Sequence, residues 1–193
     1  MTGSLNTDRA GHTATLLPNG LVFITGGSKT TTPGLGVGVT TAELYDPDTG
    51  LFRVVGDHGV NTEHIAILLQ NGKVLIVSTM GRQLLFDPTT EIFSDTGGMS
   101  TVRRGATATL LNDGRLLVAG GFTGAGEFAT FFNSAELYDP NTGTFGVSSS
   151  MTTPRRGHTA TLLPSGQILV VGGASAGGGT ELSSAELYIP SNP

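Results

Sequence analysis

Five of the eight arginines stand in three short stretches, at Arg9, at Arg103 and Arg104, and at Arg155 and Arg156, although the formal net charge is −5. Guanidinium groups gathered in this way bind carboxylates or acidic peptide segments through paired N–H donors. Three histidines, His12, His64 and His158, recur in matching surroundings, and three imidazoles brought to one point make a metal site. Phe122, Phe128, Phe131 and Phe132 crowd into one stretch, and an exposed cluster of this kind suits a peptide or a sugar. There are no cysteines, which removes disulfides, thiolate metal sites and cysteine nucleophiles.

These residues sit in a repeat. Arg9-Ala10-Gly11-His12-Thr13-Ala14-Thr15-Leu16-Leu17-Pro18-Asn19-Gly20 returns as Arg155-Arg156-Gly157-His158-Thr159-Ala160-Thr161-Leu162-Leu163-Pro164-Ser165-Gly166, and related wording runs through His64 to Gly72 and Ala106 to Gly114. The glycines at 20, 72, 114 and 166 are 52, 42 and 52 residues apart. Each closes a two-residue turn of the Asn-Gly kind, which suits a tight hairpin because it tolerates positive φ. An apolar run follows each turn, at Leu21–Ile24, Val74–Val77, Leu116–Ala119 and Ile168–Val171. Such a run has no polar face, so it predicts a strand covered on both sides. Double glycines come next, at 26–27, 120–121 and 172–173. Then come Ala42-Glu43-Leu44-Tyr45, Ala135-Glu136-Leu137-Tyr138 and Ala185-Glu186-Leu187-Tyr188, and an aromatic at Phe52, Phe93 or Phe145. The pattern predicts an all-β chain of units with four short strands each and no amphipathic helix.

The double glycine, the tyrosine of the third strand and the aromatic opening the fourth resemble the kelch motif. The His-Thr-Ala-Thr-Leu-Leu-Pro-Asn-Gly wording is similar to bacterial kelch repeats related to galactose oxidase propellers. The resemblance covers almost the whole chain and implies a β-propeller of four kelch-like blades, each a four-stranded antiparallel sheet, with the last lacking its fourth strand. The repeats span about 9–55, 61–96, 103–148 and 155–190 in a single domain 1–193. Repeat two departs from the template, with Ser78-Thr79 in place of the double glycine and a bare hairpin after it. Three arrangements satisfy a propeller's need to cover its edges. They are a compact four-bladed ring, a homodimer completing an eight-bladed ring, and a half or fragment of a larger ring.

In proteins of this resemblance, ligands meet a face made of the loop before each first strand and the loop joining strands two and three. That implies a ligand-binding set of Arg9, Arg103, Arg104, Arg155, Arg156, Phe122, Phe128 and Phe131. Structural readings compete with it. Arg9, Arg103 and Arg155 share one repeat position, with Asn61 in the other copy, and an arginine there can brace a neighbouring blade through loop carbonyls. Arg104 and Arg156 recur in only two copies. His12, His64 and His158, replaced by Ala106 in the third copy, need be no more than template residues bonding a neighbouring loop, so no metal is expected. The phenylalanines can fold back over a blade edge. Asp46, Asp87 and Asp139 precede prolines and are expected to cap their own turns. Glu43, Glu136 and Glu186 recur in phase and are expected to pair with arginines of adjacent blades. The run Gly177-Gly178-Gly179 lacks the lysine and helix of a phosphate loop.

The sequence therefore predicts a non-enzymatic binding or scaffolding module that recognises a protein segment or glycan, with no cofactor. A carbohydrate-active propeller enzyme is the alternative. Its copper radical form requires a cysteine cross-linked to tyrosine, and the Asp-box of sialidases ends in a tryptophan that this chain lacks. A purely architectural repeat fragment is the third reading. The acidic balance gives no reason to expect nucleic acid, and no apolar run reaches the roughly 20 residues that span a bilayer. Met1 to Asp8 lacks the apolar stretch of a signal peptide, so the expected compartment is the cytoplasm for a complete chain and the exterior for a fragment of a longer one.

Overall fold

The structure, a computed structural model, describes residues 2–32, 35–60, 63–78, 81–175 and 180–190. Asn61 and Gly177-Gly178-Gly179 lie outside them. The described residues form nineteen strands and one 3₁₀ turn, Gly126–Phe128. Blade 1 is the sheet β1 (Thr13–Leu16), β2 (Val22–Thr25), β5 (Thr41–Asp46) and β6 (Leu51–Asp57), with the hairpin β3 (Ser28–Thr32) and β4 (Leu35–Gly38) inserted between β2 and β5. Blade 2 is β7 (His64–Leu68), β8 (Val74–Ser78), β9 (Leu84–Asp87) and β10 (Ile92–Asp95). Blade 3 is β11 (Thr107–Leu110), β12 (Leu116–Ala119), β15 (Ala135–Asp139) and β16 (Thr144–Val147), with β13 (Phe122–Thr123) and β14 (Thr130–Phe131) inserted. Blade 4 is β17 (Thr159–Leu162), β18 (Ile168–Val171) and β19 (Ala185–Tyr188). Every pairing is antiparallel and in sequence order, the meander that short turns dictate.

The turns act as their residues predict. Gly20, Gly72, Gly114 and Gly166 have φ between 81° and 87°. The preceding Asn19, Asn71 and Asp113 accept the amide two residues on. Asp46, Asp87 and Asp139 likewise accept from Asp48, Thr89 and Asn141, at 2.8–2.9 Å. The aromatic that opens the fourth strand lies opposite the third-strand aromatic, with ring centroids 4.7 Å apart for Tyr45–Phe52, 4.9 Å for Phe86–Phe93 and 5.0 Å for Tyr138–Phe145.

The chain forms two compact units, one of residues 1–78 and 82–96, the other of residues 79–81 and 97–193. Each holds two blades and one core. In the first, Phe23, Ala42 and Leu44 of blade 1 meet Val74, Ile76, Leu84 and Phe86 of blade 2, and the Phe23 and Phe86 rings stack at 4.3 Å. In the second, Leu117, Ala119, Ala135 and Leu137 of blade 3 meet Ile168, Val170 and Tyr188 of blade 4. The apolar second strands thus lie sheet on sheet within each unit, where burial yields about 25 cal/mol per Å² of apolar surface.

Candidate functional site

Arg9, Arg103 and Arg155 occupy three copies of one buried frame. Arg103 donates from Nε to Glu136 (3.1 Å), from Nη1 to the carbonyls of Gly120 (3.1 Å) and Ser134 (3.0 Å), and from Nη2 to Ser134 Oγ (2.9 Å). Arg155 repeats this on Glu186, Gly172 and Ser184, and Arg9 makes the same contacts with Gly26 and Thr41 but reaches Glu43 from Nη2 instead of Nε. Each glutamate also accepts the backbone N–H three residues before its arginine, at Asn6, Ser100 and Thr152. Burial pushes the Glu43 and Glu186 carboxyls up, and these donors outweigh it, so both lie below the usual range.

This corrects two expectations. The three arginines are turned into their own blades, so they leave the ligand-binding set, and the brace runs within a blade, not to its neighbour. The glutamates likewise pair within a blade. A signal for this was present in the sequence. Repeat two lacks the arginine and the glutamate together, with Asn61 and Leu84 at those positions, and Leu84 is buried in the core.

The histidines join blades. His64 Nε2 meets Thr13 Oγ1 of blade 1 at 3.1 Å, and His158 Nε2 meets Thr107 Oγ1 of blade 3 at 2.9 Å. Each ring fills the space that the first glycine of the preceding blade leaves open, because a Cβ on Gly26 would fall within the His64 ring and one on Gly120 would lie 2.7 Å from His158 Cε1. His12, by contrast, is exposed. Among the described residues no three His, Cys, Asp or Glu side chains gather to hold a metal ion.

His58, which sequence reading did not single out, is buried with Nε2 2.6 Å from Thr25 Oγ1. Burial first, then the charge of His64, lowers its pKa to about 4. His158 also falls to about 4, through burial and then the Arg155 guanidinium. In the unfolded chain these imidazoles protonate near about 6.5. Between about 6.5 and 4 the unfolded state therefore binds more protons, and stability falls as pH drops through that window. We expect a loss of about 1–3 kcal/mol between neutral pH and about 4.5. Denaturant midpoints across this range check it, and His158→Gln should flatten the slope. An unchanged slope in both His158→Gln and His58→Gln would show that other groups set it.

The remaining candidates converge on blade 3. Phe122 and Phe131 face each other across β13 and β14, with rings 5.7 Å apart and 20° from parallel. The Arg156 guanidinium lies over both, 5.1 Å from the Phe122 centroid and 5.7 Å from that of Phe131, a cation–π stack. Its Nε is buried without a hydrogen-bond partner among the described residues. Arg104 fixes the base of the hairpin, exchanging backbone hydrogen bonds with Phe122 at 2.8 and 2.9 Å. The hairpin ends in the 3₁₀ turn, where Phe128 is 88% exposed. Phe132 instead turns inward beneath Arg103, at 5.1 Å. Beside the stack, Arg156, Gly157, Gly173, Ala174, Glu181 and Leu182 line a shallow cleft.

Residues 103–152, the third repeat, match the family model described as the Kelch motif. A solved fungal alcohol oxidase of the AA5 family, in complex with copper, aligns with 97% of this chain at a TM-score of 0.72 and 18% identity. The chain spans 45% of that protein. The structure of YjhT aligns with 94% of this chain and 82% of its own, with a TM-score of 0.49 and 14% identity. No curated protein sequence matches the chain. The chain thus has the β-propeller fold, with a kelch motif in its third repeat. Two of the recurrent histidines join blades through threonine, and Tyr138 and Tyr188 are buried within their sheets.

Proposed function

We propose that the chain is a non-enzymatic recognition module, and that the hairpin of blade 3 with Arg156 takes a carboxylate-bearing segment of a protein or glycan. The observation that carries this reading is Phe128. An aromatic 88% exposed at a loop tip costs solvation, whereas Phe122 and Phe131 of the same hairpin are half-buried in a stack. That hairpin carries the Arg156 guanidinium over its Phe122 and Phe131 rings, and a planar guanidinium suits bidentate contact with a carboxylate. Aromatic residues, phenylalanine among them, and arginine are enriched at binding interfaces.

The test is a screen of acidic and neutral peptides together with an array of sialylated, uronic and neutral glycans, followed by titration of the best ligand. Phe128→Ala and Arg156→Ala should each weaken binding by about 2 kcal/mol, roughly 30-fold. Arg53→Ala, which removes an exposed ion pair to Glu91 elsewhere, should leave binding intact. A ligand that both hairpin variants bind as well as the parent does would place recognition on another surface.

A further inference from the structure

The blade junction inside each unit is built on one pattern, and first-strand and third-strand residues that would make a further such junction stand exposed on blades 1 and 4. At each junction the later blade presents its first-strand alanine and leucine, its second-strand aliphatics and its histidine. The earlier blade receives them with its third-strand leucine, a threonine hydroxyl and the open space at its first double-glycine residue. Thr15 Oγ1 also donates to the carbonyl of Ala66 at 3.4 Å. On the receiving side, Leu44 and Leu137 are 1% and 2% exposed.

Blade 4 has the same receiving face, and among the described residues nothing covers it. Its Leu187, equivalent to Leu44 and Leu137, is 55% exposed, and Val171 is exposed beside it. Thr159, equivalent to Thr13 and Thr107, is exposed. A Cβ at Gly172 would meet only the carbonyl of Leu182, at 3.5 Å, whereas its counterparts Gly26 and Gly120 are each filled by a histidine ring. Blade 1 has the same inserting face, with its first strand uncovered although Ile24 of the second strand is buried. His12 and Ala14 are exposed, and Leu16 is 66% exposed, where Ala66, Leu68, Ala160 and Leu162 are packed into cores.

We infer that blade 4 of one chain receives blade 1 of a second copy, with His12 seated against Gly172 and bonded to Thr159, and Leu16 packed on Leu187. The repeated junctions specify this occupant. The receiving face is shaped for a histidine-bearing first strand of this template, and the chain carries one such strand unused. Such a contact is heterologous, joining different patches on the two copies.

The test is native mass by light scattering and sedimentation across a concentration series. The parent should associate into species of at least two 19.7 kDa chains. Leu187→Arg and Leu16→Arg each place a charge on one face and should each give the single-chain mass, with far-UV spectra like that of the parent. Their equimolar mixture should regain a two-chain species, because each variant keeps the face that the other lacks. His12→Ala should raise the dissociation concentration at least tenfold. A parent that stays a single chain at every concentration overturns the inference. So does association that survives both arginine variants, or a mixture that remains monomeric.

Discussion

An Arg103→Ala chain should lose about 3–5 kcal/mol of folding stability, out of the 5–15 kcal/mol typical of a folded protein. The guanidinium is 3% exposed, and the substitution removes the donor to Glu136, to both loop carbonyls and to Ser134 Oγ in one step. A buried carboxylate then keeps only the Ser100 N–H, at 2.7 Å. Uncompensated charge in that setting costs far more than the pair contributes when intact. The cycle with Glu136→Leu separates the two effects. Arg103→Ala with Glu136→Leu should cost well below the sum of the single changes, because the double variant leaves no charge behind. It should still be less stable than the parent, since the carbonyls of Gly120 and Ser134 remain without their donor. Urea denaturation of the four proteins measures this. Additive single costs would mean that water reaches the frame and screens it.

Gly120→Ala should cost about 3 kcal/mol or more. Two separate demands meet at this residue. Its φ of 69° is a conformation that a side chain strains, and the Cβ would lie 2.5 Å from the carbonyl oxygen of Arg155. Gly166, with φ of 82° and nothing within 4 Å of its Cβ, isolates the first demand. Gly166→Ala should therefore cost only about 1–2 kcal/mol. A second contrast tests the close approach itself. At Gly26 the three nearest obstacles are all atoms of the His64 ring, so His64→Ala should recover most of the clash in Gly26→Ala. His158→Ala should not rescue Gly120→Ala, because the Arg155 backbone stays where it is. Equal costs at Gly120 and Gly166 would refute a close-approach role for the double glycine.

These experiments mark where the sequence was sufficient. The period of the glycines and the apolar runs determined the blades, because a hairpin turn and a strand with two covered faces are local demands written in adjacent residues. The double glycine and the aspartate turns were legible for the same reason. Even the insertion in blade 3 was visible as an aromatic stretch.

What the sequence left open were partners separated by 17 residues or more. Arg103 reads identically whether it faces solvent, its own blade or the next one. Only folding brings Glu136 and the carbonyls of Gly120 and Ser134 around it, and burial then makes the pair a brace. His64 and His158 likewise acquired their meaning from a threonine 51 residues earlier and from a glycine whose missing Cβ makes room for the ring. Among the phenylalanines, Phe128 faces outward and Phe132 inward although they lie four residues apart. The difference is set by the hairpin that carries one to its tip and by the buried guanidinium that lies over the other. Local residue types determined the strands and turns of this protein, because those depend on near neighbours. Tertiary structure alone decided which side chains hold the blades together and which remain to meet a ligand, because burial and charge pairing depend on residues far away along the chain.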